Sequence, residues 1–257
     1  LMFAAAQDHT ECVRVLLDAK AEVDADGGND WTALFLAKPA SAKLLIDAQA
    51  DIETRDAEGD CGLHWAATYG RLESMQVLLD AGADIEARSE GDETPLMRAA
   101  RVGNSTCVQV LINHGADLNA KADNFTALMV AISGGHAECA RLLIDAQADL
   151  DVTDEHGRTA LCWAVAHDSK EIVEQLLAAG AAVGVADEDG RTALFCAATK
   201  GHLQCLDILV AAKADIGVVD REGRTALIYA SMHGRETCLQ KLLVLKADSN
   251  VVDRNGR

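Results

Sequence analysis

Asp154–Ala164 reads D-E-H-G-R-T-A-L-C-W-A, and its frame returns at Asp187 (D-E-D-G-R-T-A-L-F-C-A), at Asp220 (D-R-E-G-R-T-A-L-I-Y-A) and in part at Asp253 (D-R-N-G-R), 33 residues apart each time. A fixed period of this length describes one small supersecondary unit stacked many times, in which each copy buries its apolar face against its neighbours. Aligning on T-A-L predicts eight helix pairs, starting near Leu1, Thr32, Cys61, Thr94, Thr126, Thr159, Thr192 and Thr225. The spacing departs from 33 twice, to 32 between Thr94 and Thr126 and to 29 between Thr32 and Cys61.

Each unit carries its own stop and start signals. The Thr is placed to cap the first helix, and Pro95 sits where a first turn tolerates proline. Leu161, Ala164 and Val165 mark a short apolar face at i, i+3, i+4. A break follows at Gly70, Gly103, Gly135, Gly201 or Gly234, with Asp168 in its place in the sixth copy. The second helix carries a heavier stripe, such as Cys139, Leu142, Leu143 and Ile144, and ends where Gly is expected and Gln or Lys is a compromise. In the second copy, T-A-L-F-L-A-K-P-A-S-A-K-L-L-I (Thr32 to Ile46) lacks four residues and places Pro39 where the first helix would continue; a kink or local disorder is expected there.

Composition narrows the class. The 257 residues are 49% apolar and 25% charged, as in a folded protein, while aromatics are only 4%, so thin layers of Leu, Ala, Val, Ile and Cys must form the core. A net charge of −18 disfavours general affinity for nucleic-acid phosphates or anionic lipid. No run approaches the roughly 18–20 apolar residues of a membrane span, and L-M-F-A-A-A-Q-D-H-T lacks signal-peptide features, so direct membrane insertion is not expected and an intracellular, cytoplasmic setting is. Cys12, Cys107, Cys139, Cys205 and Cys238 share one repeat position; equivalent stacked helices lie about 8–10 Å apart, too far for disulfides, so they read as reduced, buried small hydrophobes.

The string D-x-x-G-x-T-A-L-x-x-A…G-H-x-x-C…L-L-x-x-x-A-D resembles the ankyrin repeat family, with T-P-L-M at Thr94 and C-G-L-H at Cys61 as remnants of its fuller T-P-L-H. The resemblance covers residues 1–257 as a single repeat domain. It implies an all-α solenoid of antiparallel helix pairs with β-hairpin or turn fingers, whose concave side, made of fingers and first helices, usually binds other proteins. Leu1 already lies inside a helix and N-G-R at the other end leads into another T-A-L, so an excerpt of a longer array is expected.

No G-x-G-x-x-G after a strand, G-x-x-x-x-G-K-[ST], G-x-S-x-G, H-E-x-x-H or C-x-x-C occurs, so no catalytic, cofactor or metal site is expected. His136 with Cys139 has the offset of a nucleophile and base, but His9/Cys12 and His202/Cys205 repeat it, and recurrence favours a structural tie between loops. Arg158, Arg191, Arg224 and Arg257 form a column on successive fingers; they would meet an acidic segment or be neutralised by neighbouring acids, and the second reading weighs more.

A stripe on the first helix, two residues after the Leu of T-A-L and three and four further on, gathers Trp65, Tyr69, Arg98, Arg101, Trp163, His167, Lys200, Tyr229 and His233 with no acid among them. Aromatic and Arg enrichment is the composition of interaction hot spots, although the rings could equally fill space between helices. The expected function is a non-enzymatic scaffold binding another protein here, and reversing Arg98 and Arg101 to Glu is expected to weaken capture with the melt nearly unchanged. The alternative is a structural subunit, or the cytosolic portion of a larger assembly such as a channel or multidomain enzyme.

Overall fold

A computed structural model describes every residue except Asn29, Asn255 and Arg257. Sixteen helices follow in pairs: α1 Met2–Ala6, α2 Thr10–Asp18, α3 Ala33–Leu36, α4 Pro39–Asp47, α5 Gly62–Tyr69, α6 Leu72–Asp80, α7 Pro95–Val102, α8 Ser105–Asn113, α9 Ala127–Ser133, α10 Ala137–Asp145, α11 Ala160–Ala166, α12 Lys170–Ala178, α13 Ala193–Lys200, α14 Leu203–Ala211, α15 Ala226–Met232 and α16 Glu236–Val244. They form two compact units, Leu1–Ala127 and Leu128–Arg257. Within the first, α1, α3, α5 and α7 pack in succession and so do α2, α4, α6 and α8; within the second, α11, α13 and α15 do the same beside α10, α12, α14 and α16.

The T-A-L frame explains this layering. Leu63, Leu96, Leu128, Leu161 and Leu194 are fully buried, as are the Ala residues that let successive first helices approach closely. The Thr residues are buried too: Thr94 and Thr225 accept a backbone N–H (from Met97 and Ile228), whereas the side chains of Thr32, Thr159 and Thr192 make no cap bond. At Thr32, Thr159 and Thr192, burial between helices rather than capping is what Thr supplies.

Helix ends follow the sequence signals closely. Gly70, Gly103 and Gly201 end first helices in the left-handed region, and Asp168 takes that conformation at φ 55° where the sixth copy lacks Gly. At the ends of the second helices Gly82, Gly115 and Gly180 alternate with Lys20, Gln49, Gln147, Lys213 and Lys246, whose φ values of 62–66° are unfavourable for a side chain with Cβ. Gln147→Gly is therefore expected to raise stability by up to about 1 kcal/mol, as read by urea melts.

The shortened second copy resolves differently from its expectation. Helix α3 is a single turn ending in extended backbone at Ala37, and Pro39 opens α4 at its first position, where a missing N–H costs nothing. The deletion thus shortens the first helix to four residues and the loop to Ala37 and Lys38, and Pro39 starts a helix instead of breaking one.

The fingers are turns. Only isolated bridges, Arg55 with Cys61 and Ala122 with Phe125, occur among the described residues. Each regular finger closes through two backbone bonds: the Asp N–H donates to the Arg carbonyl (Asp154 to Arg158 at 3.0 Å, Asp187 to Arg191 at 2.8 Å, Asp220 to Arg224 at 2.9 Å), and the Gly N–H donates to the Asp carbonyl (Gly157 to Asp154, Gly190 to Asp187, Gly223 to Asp220). A further backbone bond joins four pairs of successive fingers: Glu90 N–H to Glu58 O in the first unit, and Glu188 to His156, Arg221 to Asp189 and Arg254 to Glu222 in the second. Gly157 makes this possible, because at φ 80° a Cβ there would stand 3.0 Å from the Glu188 nitrogen.

Candidate functional site

In the second unit the finger Asp organises the site. Asp154 Oδ1 accepts the backbone N–H groups of His156 and Arg158, each at 2.9 Å, while Oδ2 accepts Arg158 Nε at 2.9 Å and Trp163 Nε1 at 3.1 Å. Asp220 repeats this with the N–H groups of Glu222 and Arg224, with Arg224 Nε, and with the Tyr229 hydroxyl at 2.9 Å. Burial alone would raise both carboxyl pKa values, but the hydrogen bonds, led by those from the Arg158 and Arg224 backbones, hold them below the ordinary carboxylate value. Asp187 makes the same bonds to Asp189, Arg191 and Arg191 Nε. Nine residues on, where the two neighbouring copies place the rings of Trp163 and Tyr229, stands Cys196.

That substitution opens a cavity of ≈ 510 Å³. Trp163 and Tyr229 line it, Phe195 and Cys196 belong to the helix between them, and His167, His233 and Lys200 occupy the equivalent place one turn along each helix. His167 lies stacked along Trp163 (centroids 6.0 Å, 21°) and His233 along Tyr229 (6.1 Å, 3°), while Phe195 meets Tyr229 edge-on at 5.6 Å. Arg158 lies over the Trp163 ring at 4.5 Å and Arg224 over Tyr229 at 5.0 Å.

Seven of the residues singled out by the sequence, Arg158, Trp163, His167, Arg191, Lys200, Tyr229 and His233, come together here; Arg224 stays behind Tyr229. The Arg column is neutralised as the second reading had it, although by the finger Asp itself: Arg158 by Asp154, Arg191 by Asp187 and Asp189, Arg224 by Asp220, while Arg257 lies outside the described residues. Phe195 and the role of Cys196 escaped the sequence reading.

The first unit is built differently. Asp56 forms the regular turn, accepting Glu58 N–H and Asp60 N–H at 2.9 Å and Trp65 Nε1 at 2.7 Å, but Asp60 and Glu93 stand where the later fingers carry Arg. The cations come from α7 instead. Arg98 lies 2.9 Å from Asp60 and 3.0 Å from Glu93, and Arg101 Nε donates to Glu93 at 2.8 Å. Both guanidinium groups are thus engaged inside the unit. Reversing them to Glu would gather four carboxylates in a half-buried cluster, so the expectation of an unchanged melt is corrected: that double variant is expected to be destabilised.

Trp65 stacks on the exposed Tyr69 at 4.9 Å and meets Trp31 edge-on at 4.7 Å, a ring outside the helix stripe and so missed by it. His64 lies fully buried, its Nδ1 accepting the Cys61 N–H at 3.2 Å and its Nε2–H donating to Glu93 O at 2.9 Å. Burial holds this imidazole down to about 4 and pushes Asp60 up to about 6 against the opposing pull of Arg98.

The cysteines follow their expected burial except Cys12, which is exposed. Cys107 and Cys238 lie against carbonyl groups 41 residues earlier, those of Ala66 and Ala197. Burial pushes Cys196 up to about 11 and Cys205, beside Asp168, up to about 12, which keeps these thiols protonated near neutral pH. His202 reaches the same Asp168 at 3.5 Å, so this His and Cys do tie adjacent loops together. Among the described residues no group of three or more His, Cys, Asp or Glu is placed to hold a metal ion, and no helix is long and apolar enough to cross a membrane.

Comparison with known families agrees with this architecture. The family model described as ankyrin repeats (3 copies) matches residues 37–122, 96–187 and 164–253, and that described as ankyrin repeat matches residues 1–27. A search of curated proteins finds no match. Ankyrin repeats are generally protein–protein interaction modules and typically non-catalytic. With an all-α repeat stack, T-A-L frames in phase and family matches along nearly its whole length, the chain belongs to the ankyrin repeat family.

Proposed function

We propose that this protein is a non-catalytic interaction scaffold that captures another protein through the aromatic-walled cavity of its second unit. The observation that carries the reading is the hole at Cys196, where neighbouring copies fill the same place with Trp163 and Tyr229. An opening of this size, apolar at its walls and cationic at its mouth, suits a projecting side chain from a partner. Trp65 and Tyr69 offer a second, flatter aromatic surface in the first unit, whereas Arg98 and Arg101 serve mainly to neutralise Asp60 and Glu93.

The test is Cys196→Trp. The new ring takes the register of Trp163, with Asp187 nine residues earlier to accept its N–H, so the fold is expected to stay as stable or become more so. Proteins captured from native extract by the unsubstituted chain, quantified by mass spectrometry, are expected to be lost from this variant, with an affinity at least about thirtyfold lower, as for a hot-spot contact of 2 kcal/mol or more. Capture of the same proteins in the same amounts by both would overturn the proposal.

A further inference from the structure

We infer that the cavity beside Cys196 is built for an aromatic side chain with a single carboxylate next to it, carried by an acidic segment of the partner. This rests on the reading of the cavity as the capture site and specifies its occupant.

The apolar half of the argument is the wall chemistry. Trp163 and Tyr229 present flat rings, and Phe195 already meets Tyr229 edge-on, so an entering ring can take the offset or edge contacts that aromatic pairs prefer. The polar donors of the two larger rings are spoken for, Trp163 by Asp154 and Tyr229 by Asp220. What they offer a visitor is therefore π surface.

The charged half comes from counting who is already neutralised. Arg158 and Arg191 sit in the wall, yet each is held by its finger carboxylate. The one carboxylate lining the cavity, Asp187, is held by Arg191 in return. Lys200 is exposed at the mouth and makes no salt bridge among the described residues, which leaves it as one uncompensated positive charge. One ammonium beside an apolar cavity matches a monoanion, whereas a phosphate near two negative charges would need more. The chain's net charge of −18 does not exclude an acidic visitor, because distant charges are screened over about 8 Å at physiological ionic strength while Lys200 stands in contact range.

The experiment is fluorescence anisotropy with four fluorescein-labelled heptapeptides, identical except that their central tryptophan is followed by glutamate, glutamine, lysine or phosphoserine. The glutamate peptide is expected to bind at least about tenfold tighter than the lysine peptide and tighter than the other two. Lys200→Glu should reverse the order of the glutamate and lysine peptides. Cys196→Trp should abolish binding of all four, and Lys246→Glu, an equal charge change on an exposed residue elsewhere, should alter none.

Equal affinities regardless of charge, tighter binding of the phosphoserine peptide, no binding of the glutamate peptide at millimolar concentration, or binding that survives Cys196→Trp would each overturn the inference. The two failures stay apart. If extract proteins are lost on Cys196→Trp but the peptides show no preference for glutamate, the capture site stands and the occupant proposed for it falls. If Cys196→Trp leaves capture intact, the site itself falls.

Discussion

Two opposite pH responses are expected in the first unit, each hidden by the other until one partner is replaced. His64 is held down to about 4 from an ordinary 6.5, so between these values the unfolded chain binds a proton that the folded unit refuses, and stability falls as pH falls. A shift of this size corresponds to about 3 kcal/mol lost between pH 6.5 and 4. Asp60 runs the other way. Its folded pKa of about 6 exceeds the ordinary 3.8, so in that window the folded unit holds a proton that the unfolded chain has released, and about 3 kcal/mol is gained as pH falls.

Relative to the unsubstituted protein, His64→Met should therefore gain stability between pH 7 and 4 and Asp60→Asn should lose it, each by about 3 kcal/mol. Met is the residue that α7 and α9 bury at the same place, Met97 and Met129, so the first replacement has precedent in the fold. Urea melts at four pH values, followed by Trp31 and Trp65 fluorescence in a Trp163→Phe background, give the slopes. Parallel profiles for all three proteins would remove the assignment.

The second large effect concerns the finger carboxylates. Asp220→Ala strands two backbone N–H groups, the Arg224 guanidinium and the Tyr229 hydroxyl in a largely buried place, and is expected to cost about 3 kcal/mol. Asp187→Ala strands the equivalent backbone groups and Arg191, but no ring donor, because Cys196 is there; its cost should be about 1 kcal/mol smaller. The pH dependence distinguishes this from simple loss of packing. Because the folded pKa of Asp220 lies below its ordinary value, its contribution is present above about pH 4 and lost as pH falls through the folded value, so the deficit of Asp220→Ala should shrink in acid.

These cases also show what the sequence could and could not convey. Helix pairs, their ends and the left-handed positions at Asp168, Gln147 and Lys213 were legible because each copy repeats the same local backbone demands every 33 residues. Pro39 was misjudged because its place was inferred from the full-length copies, whereas a four-residue deletion moved it to the start of the next helix.

The Arg98 and Arg101 pairings were misread for a related reason. The helix stripe holds no acid of its own, but Asp60 and Glu93 approach from the fingers, at the position where later copies carry Arg. Cys196 is the sharper case. Its own side chain advertises nothing; the cavity exists because of what Trp163 and Tyr229 are and Cys196 is not, a difference between copies that no single stretch contains.

The joints between fingers have a consequence for how such a protein can change over generations. Glu188 to His156, Arg221 to Asp189 and Arg254 to Glu222 are linked through main-chain atoms alone, so the register of the array is indifferent to which side chains those residues carry. With Gly157, Gly190 and Gly223 kept, substitutions at His156, Glu188, Asp189, Arg221 and Glu222 can accumulate without loosening these joints, and a library randomised there would explore new specificities on an unaltered frame.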